Sequence, residues 1–513
     1  MRTSRKYPRR YTLITACMLL LVCVLAANGM AAYAQAGDRA GTIGNGQTLE
    51  QKIHRIEEYV EAERIRSQIP GLSLVIVEKG RTVLQKGFGY ADLDAETPVT
   101  GNTLFEIGST TKAFTGLAIL QLEKDGLVKR TDDVKKYIPW LELVYNGKPA
   151  TITLNDLLYH TSGIPAGSIG YIPASDAGNS LELTVRALLS QQLNREPGRA
   201  FEYATINYDV LGLVIENVTK QSFEAYIKQQ ILEPIGMKDS FAGLQHNPPS
   251  EMATGYRLGF MKPRAYTPPV YRGNTPAGYI ISSANDMAKW MNTQLGYGTF
   301  DKKLIQDSHV PDQSVAPLGD NNYYASGWIV AGQDGNVILH AGANPTFSSF
   351  IRMQRDDQLG VAVMANMMSD AAAAITQGVM ELWKGSDVGA PYQIDRMQRL
   401  DKAASAIILI AGGLIALFLF LTARVIRKLA RQQRSWTALL GRRLIGFALL
   451  LIMSAAGIVL VLTLPRILLG GMPWAFIAVW SPPTIMLAIY SLISVFISLF
   501  GYGTMLSFTA KTR

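Results

Sequence analysis

Cysteine is almost missing from this 513-residue chain: it has two, Cys17 and Cys23, both in the apolar N-terminal stretch. Downstream of that stretch no disulfide can form and no thiol can act as a nucleophile. Histidine is scarce as well. The five present, His54, His160, His246, His309 and His340, show no metal-ligand spacing, which argues against a metallohydrolase; no metal and no cofactor are expected. Acidic residues are lacking at both ends. Residues 1–34 carry five Lys/Arg and no acid, and residues 401–513 carry eleven and a single acid, Asp401. The remaining 33 basic and 39 acidic residues lie between them, so the net charge of +9 belongs to the two ends. Such a distribution does not make a nucleic-acid-binding surface.

What the ends do contain is membrane chemistry. Arg2, Arg5, Lys6, Arg9 and Arg10 precede an apolar run from Leu13 to Ala27, and Ala32-Tyr33-Ala34 and Ala34-Gln35-Ala36 both fit the small-residue cleavage rule. Residues 1–34 therefore read as a secretory signal peptide, with an uncleaved anchor as the alternative, and 35–48 as a Gly-rich leader. Val22 ahead of Cys23 is bulkier than lipoprotein processing accepts. Three runs, 403–423, 444–464 and 474–500, each meet the ~20 residues that a helix needs to cross a bilayer. None contains Asp, Glu, His, Lys or Arg, so no proton or ion path is expected. Arg424, Arg427, Lys428, Arg431, Arg434, Arg442 and Arg443 separate the first two runs. By the positive-inside rule that loop and the C-terminal tail face the cytoplasm. The expected product is a multi-pass protein of the cytoplasmic (inner) membrane, with residues 49–384 on the extracytoplasmic, periplasmic side and 385–402 as linker. The spans serve as an anchor, or take part in substrate capture or partner docking.

Within 49–384, Leu49–Arg66 reads as an amphipathic helix and Leu72–Glu78 with Thr82–Tyr90 as a hairpin. Late in the domain Tyr324–Ala331, Val337–His340, Phe347–Gln354 and Gly360–Ala365 read as strands, and Asp370–Trp383 as a closing helix. Ile280–Leu295 is expected to be helical, and the Pro-, Gly- and Tyr-rich 248–276 a loop region bordering a cleft. Strands at both ends of a helical insertion predict an α/β (α+β) domain whose antiparallel sheet is built from both ends of the chain, with a helical lobe.

The chemistry centres on Gly108-Ser109-Thr110-Thr111-Lys112, followed by Phe114, Leu117, Ala118, Ile119 and Leu122 at helical spacing. Ser109 and Lys112 share one face of the helix start. The unpaired N–H groups there favour a developing alkoxide or oxyanion. A neighbouring amine can take the serine proton once desolvation lowers its pKa. His160, followed by Thr-Ser-Gly at a helix end, reads as a structural cap and not as a catalyst.

Ser109-x-x-Lys112, Tyr203-Ala204-Thr205 and His340-Ala341-Gly342, in that order, resemble the three motifs of the penicillin-recognising serine hydrolases. A tyrosine in the second motif and a histidine in the third are similar to the class C β-lactamase and S12 peptidase branch. The likeness extends to segments such as Tyr208-Asp209-Val210-Leu211-Gly212, Asn344-Pro345-Thr346-Phe347 and Trp474-Ala475-Phe476-Ile477. These resemble the ClbP-like prodrug-activating peptidases of colibactin, zwittermicin and xenocoumacin maturation. That resemblance implies removal of an N-acyl-D-asparaginyl leader from an acylated nonribosomal peptide prodrug, with an exporter as a further partner.

By the same resemblance Ser109 is the nucleophile, Lys112 and Tyr203 share the proton work, and the backbone N–H groups of Ser109 and Ala343 form the oxyanion hole. Which of Lys112 and Tyr203 holds the proton stays open. Glu106, Thr205, His340 and Asn344 fall at substrate-binding positions. Helix-start capping is the other reading of Glu106, and a buried structural role that of His340. Two departures stand out: Thr205 replaces the Asn of the broader motif, and Asn274 lies where the family has a leader-contacting histidine. The rivals are a membrane-anchored β-lactamase, D,D-carboxypeptidase or esterase, and a non-catalytic penicillin sensor or immunity protein.

Overall fold

The computed structural model describes residues 48–243, 249–332, 334–389, 395–468 and 470–512. The expected signal peptide, most of the leader and His246 lie outside the described residues. The first helix, α1 (Leu49–Arg66), opens with a capping box in which Thr48 and Gln51 satisfy each other's backbone N–H groups. Then β1 (Gly71–Glu78) and β2 (Arg81–Asp92) form the expected hairpin, and the short β3 (Thr97–Pro98) pairs with β2.

Next come β4 (Leu104–Glu106), a single 3-10 turn over Gly108–Thr111, and α2 (Lys112–Lys124). The helical lobe follows, including α3 (Ile206–Thr219), and then a small hairpin of β5 (Tyr256–Leu258) and β6 (Pro263–Ala265). The stretch expected to be one helix from Ile280 is in fact strand β7 (Ile280–Ser283), paired with β4, and then α4 (Ala284–Gln294). Two β-branched residues suit the strand, and the Ser283 hydroxyl accepts the Asp286 N–H at 3.3 Å, which starts the helix one turn later than its apolar periodicity implies.

The domain closes with β8 (Tyr323–Tyr324), β9 (Ile329–Ala331), β10 (Val337–Asn344), β11 (Phe347–Gln354), β12 (Leu359–Ala365) and α5 (Ala371–Trp383). Sheet order is β8-β9-β10-β11-β12-β1-β2-β3, with antiparallel neighbours throughout. The two ends of the domain meet where β12 pairs with β1, Leu72 opposite Ala365. β1 is buried on both faces. Leu72, Leu74 and Ile76 pack toward α1 and α5, while Val75 and Val77 join the larger core under the helical lobe. This is the β-lactamase-like α/β architecture, a sheet with helices on both faces.

Among the described residues three further helices are long and apolar enough to cross a membrane: α6 (Arg396–Ala430), α7 (Arg442–Leu468) and, after a short α8 (Trp474–Trp480), α9 (Pro483–Ser507). α6 begins seven residues ahead of the apolar run itself, so the expected linker is helical at its end. The third apolar stretch is two helices and not one kinked span. Ser481 and Pro482 are extended, at ψ 165° and 137°, and Pro483 cannot donate a helical hydrogen bond back across the break. α9 packs against both α6 and α7. Arg434–Trp436 pairs with Thr509–Lys511 at the far end of the bundle.

Candidate active site

Gly108 adopts φ +54°, and a Cβ there would stand 2.4 Å from the Ala343 nitrogen. Only glycine lets the 108–111 turn approach β10 this closely. The turn is fixed further by Thr110 Oγ1 and Ser349 Oγ, which each donate to the Ile107 carbonyl at 2.7 Å. Ser109 thus sits in a 3-10 turn just ahead of α2, beside the outward-facing Ala343 of β10.

Lys112 is completely buried. Its Nζ donates to Ser109 Oγ at 3.0 Å, to the Ala277 carbonyl at 2.7 Å and to Thr205 Oγ1 at 3.4 Å. Three oxygen acceptors thus surround this buried amine. The same Nζ lies 5.2 Å from the centroid of the Tyr203 ring and 5.7 Å from that of Tyr208. Ser109, Lys112, Tyr203 and Thr205, scattered over 97 positions of sequence, therefore meet at one place.

Tyr203 precedes α3 in a loop held from beneath by His160. That histidine, buried at φ +57°, accepts from the Ala204 N–H at 3.3 Å and faces the Asn207 amide at 2.9 Å. Its ring lies 4.3 Å from that of Tyr203, tilted by 38°. Burial, and then the Lys112 charge, hold it well below the ordinary imidazole range, so it is neutral. This is the structural role read from the sequence.

His340 has both ring nitrogens engaged within the chain. Nδ1 meets the Ala341 carbonyl at 2.7 Å and so carries the proton, which leaves Nε2 to accept from the Tyr324 hydroxyl at 2.9 Å. Burial, with Lys112 adding to it, pushes its pKa down to about 3. A neutral imidazole brings no positive charge to the site. It fixes Tyr324 and stands 6.2 Å, ring to ring, from Tyr203.

On the other side of Ser109, Asn344 Nδ2 donates to Glu106 Oε2 at 2.6 Å and to the Gly278 carbonyl at 2.9 Å. Glu106 is wholly buried, which raises its pKa to about 7 despite that hydrogen bond. It caps no helix: the residue at the head of the 108–111 turn is Ile107. Gly278 lies beside Asn344, which its carbonyl binds, and a Cβ there would make only ordinary contact with that side chain. Beyond lies a cavity of about 140 Å³ whose lining includes Ile169, Tyr271, Asn274, Tyr279, Phe476 and Trp480. Among the described residues the buried Tyr279 hydroxyl has no hydrogen-bond partner.

Residues missed by sequence reasoning cluster here. Asp209, buried on α3, accepts from the Asn274 amide at 2.9 Å once that amide is oriented to satisfy its neighbours. The signal was an acid within the buried run Tyr208–Leu211. Phe476 and Trp480 come from α8, which no periodicity could bring to a hydrolase cleft.

Comparison with known proteins agrees with this geometry. The protein-family model described as Beta-lactamase matches residues 53–379. Protein flp of Staphylococcus aureus strain N315 is 34% identical over 450 residues, 87% of this chain and 89% of that protein. Its counterpart in strain MRSA252 is 33% identical over 454 residues, 87% and 88% of the two chains. Matches of that length cannot fit ahead of residue 403, so they run into the apolar helices. Among solved structures, the octameric penicillin-binding protein homologue from Pyrococcus abyssi is similar, with TM-score 0.58 and 27% identity over 66% of this chain and 79% of that one. The chain belongs to the beta-lactamase family of serine hydrolases.

Proposed function

We propose that the protein is a membrane-tethered serine peptidase that cleaves an amide through an acyl-enzyme, removing an N-acyl-D-asparaginyl leader from a nonribosomal peptide prodrug. Ser109 Oγ attacks the leader carbonyl, and its proton passes through Tyr203 to the leaving amine while the Lys112 ammonium steadies the developing charge. Proton transfer of this kind contributes roughly 10²–10⁴-fold. The N–H groups of Ser109 and Ala343 take the oxyanion. Losing one such donor costs about 10²–10³-fold in kcat. Water then repeats the sequence on the acyl-enzyme.

The observation that carries this reading is the 3.0 Å Lys112–Ser109 contact, placed beside a cleft with amide-complementary and apolar parts. Asn344 Oδ1 can accept from a carboxamide N–H, and the unpartnered Tyr279 hydroxyl can donate to its carbonyl. An asparagine side chain needs both. The apolar lining from Ile169, Phe476 and Trp480 suits an acyl chain. Incubating membranes with N-myristoyl-D-asparaginyl amide and, separately, with nitrocefin tests it. Leader release that is lost in Ser109→Ala is expected. Nitrocefin turnover with the D-Asn amide intact would instead favour a β-lactamase or carboxypeptidase, the direction in which the name of the Pyrococcus homologue points. A Ser109 adduct that never deacylates would favour a sensor.

A further inference from the structure

The turn between β5 and β6 is built against its own residue preferences. Gly259 N–H donates to the Lys262 carbonyl at 2.9 Å, which closes a two-residue hairpin with Phe260 at φ +54° and Met261 at φ +58°. Such turns favour Asn, Asp or Gly, and a bulky side chain in the left-handed region is strained. Phe260 is also 47% exposed. Within the protein the ring gains little by being there.

The height of the turn is set by the apolar helices. Buried Asp401, on α6, accepts from Phe260 N–H at 3.2 Å and from Thr484 Oγ1 at 2.6 Å, and it also accepts from Met261 N–H. Arg257 Nη1 donates to the Ala478 carbonyl at 2.9 Å in the last turn of α8, its guanidinium stacked 3.6 Å over Tyr266. A Cβ on Gly259 would lie 3.2 Å from Pro483. Asp401 is two residues ahead of the first apolar run, ~3 Å along the helix axis, and Thr484 stands at the head of α9. The tip is thereby held level with the entrance of two spans. Beside Phe260, Lys262 and Arg264 are exposed, and no acid occurs from 260 to 265.

We infer that this hairpin tip is a membrane-surface anchor. Phe260 inserts at the outer boundary of the bilayer, and Lys262 and Arg264 meet lipid phosphates. An aromatic ring at headgroup depth, flanked by long cations that reach back to the polar layer, is the chemistry of that boundary. Lipid contact supplies the burial that the fold withholds. It would also prevent the domain from tilting on its helices, keeping the α8 wall of the cavity at a constant distance from the membrane.

The inference rests on α6, α7 and α9 crossing a bilayer, and the test separates the two. Cys17→Ser and Cys23→Ser give a cysteine-free background. Phe260→Cys, Leu409→Cys on the exposed face of α6 and Leu127→Cys on the exposed surface of the hydrolase domain are each spin-labelled. The full-length proteins are placed in nanodiscs of phosphatidylethanolamine and phosphatidylglycerol. Collision rates with oxygen and with a water-soluble nickel chelate then report depth. The oxygen-to-nickel ratio at 260 is expected to lie between those at 409 and 127, clearly above the latter. A ratio at 260 equal to that at 127, with 409 at bilayer depth, overturns the anchor. Equal ratios at 409 and 127 overturn the membrane reading and the anchor with it. A label on Lys262→Cys repeats the measurement if Phe260→Cys disturbs the turn.

Discussion

Glu106 gives a stability signature of defined sign. Its complete burial raises its pKa from an ordinary 4.5 to about 7. Between those values the folded state keeps a proton that the unfolded chain has lost, so stability falls as pH rises. The contribution is fully present below pH 4.5 and gone above about pH 7. At 1.36 kcal/mol per unit the difference amounts to about 3 kcal/mol. Glu106→Gln stays neutral at every pH and keeps an oxygen for Asn344, so it escapes the loss. With an unfolding entropy of ~0.7 kcal/mol/K for a domain of this size, the variant gains ~5 °C in Tm relative to wild type between pH 4.5 and 8. The buried histidines work in the opposite sense: His309 and His340 are pushed down to about 3, so their stabilisation is lost as pH falls below 6.5. Both proteins carry them, and they cancel in the difference. Intrinsic-fluorescence melts of full-length protein across that pH range make the comparison. Parallel Tm curves for the two would refute the claim that Glu106 is buried with its proton.

Ser109→Ala should abolish amide hydrolysis without lowering Tm, and Tyr203→Phe should lower kcat by about 10²–10⁴-fold with KM little changed; single-turnover assays separate the two. Trp480→Ala should raise KM about tenfold, ~1.4 kcal/mol, for a long-chain acyl substrate and leave an acetylated one unaffected. Equal effects on both would detach the cavity from acyl binding. Gly108→Ala places a methyl 2.4 Å from the Ala343 nitrogen at φ +54°, so it should cost several kcal/mol in overpacking and strain, on the order of 1–3 for each. Far-UV circular dichroism on heating would register the loss.

Much of the fold could be read from local pattern. The α1 helix, the β1–β2 hairpin and strands β10, β11 and β12 announce themselves by periodicity and turn residues, whereas Tyr324–Ala331, read as one strand, is the two short strands β8 and β9, paired with each other around Gly327 at φ +84°. The strand at Ile280 did not announce itself, because a four-residue buried strand running straight into a helix is too short to show a period of its own; only pairing with β4 separates them. For the site, spacing at a helix start picked out Ser109 and Lys112, and the family resemblance added Tyr203 and Thr205; the fold brings the four together. Neither signal could reveal that His340 is neutral, since its state depends on burial and on Tyr324, sixteen residues away. Asp209 and Tyr279 were equally hidden, because their significance lies in which buried donors they do or do not meet.

The break at Ser481-Pro482 links the two halves of the molecule. A continuous helix over 474–507 would carry Trp474 to Trp480 straight along the axis of α9, away from the hydrolase domain. Two extended residues instead let α8 turn against the 166–172 segment, so that Phe476 and Trp480 wall a cavity whose opposite side reaches Asn274 and Tyr279. Asp401 and Arg257 then hold that arrangement from the hairpin side. A simple tether would need none of these contacts, since any apolar helix on a flexible linker retains an enzyme at a membrane. Partly buried polar bonds across the junction cost desolvation and are stable only when satisfied. Their presence here fixes how the C-terminal helices sit against the cleft.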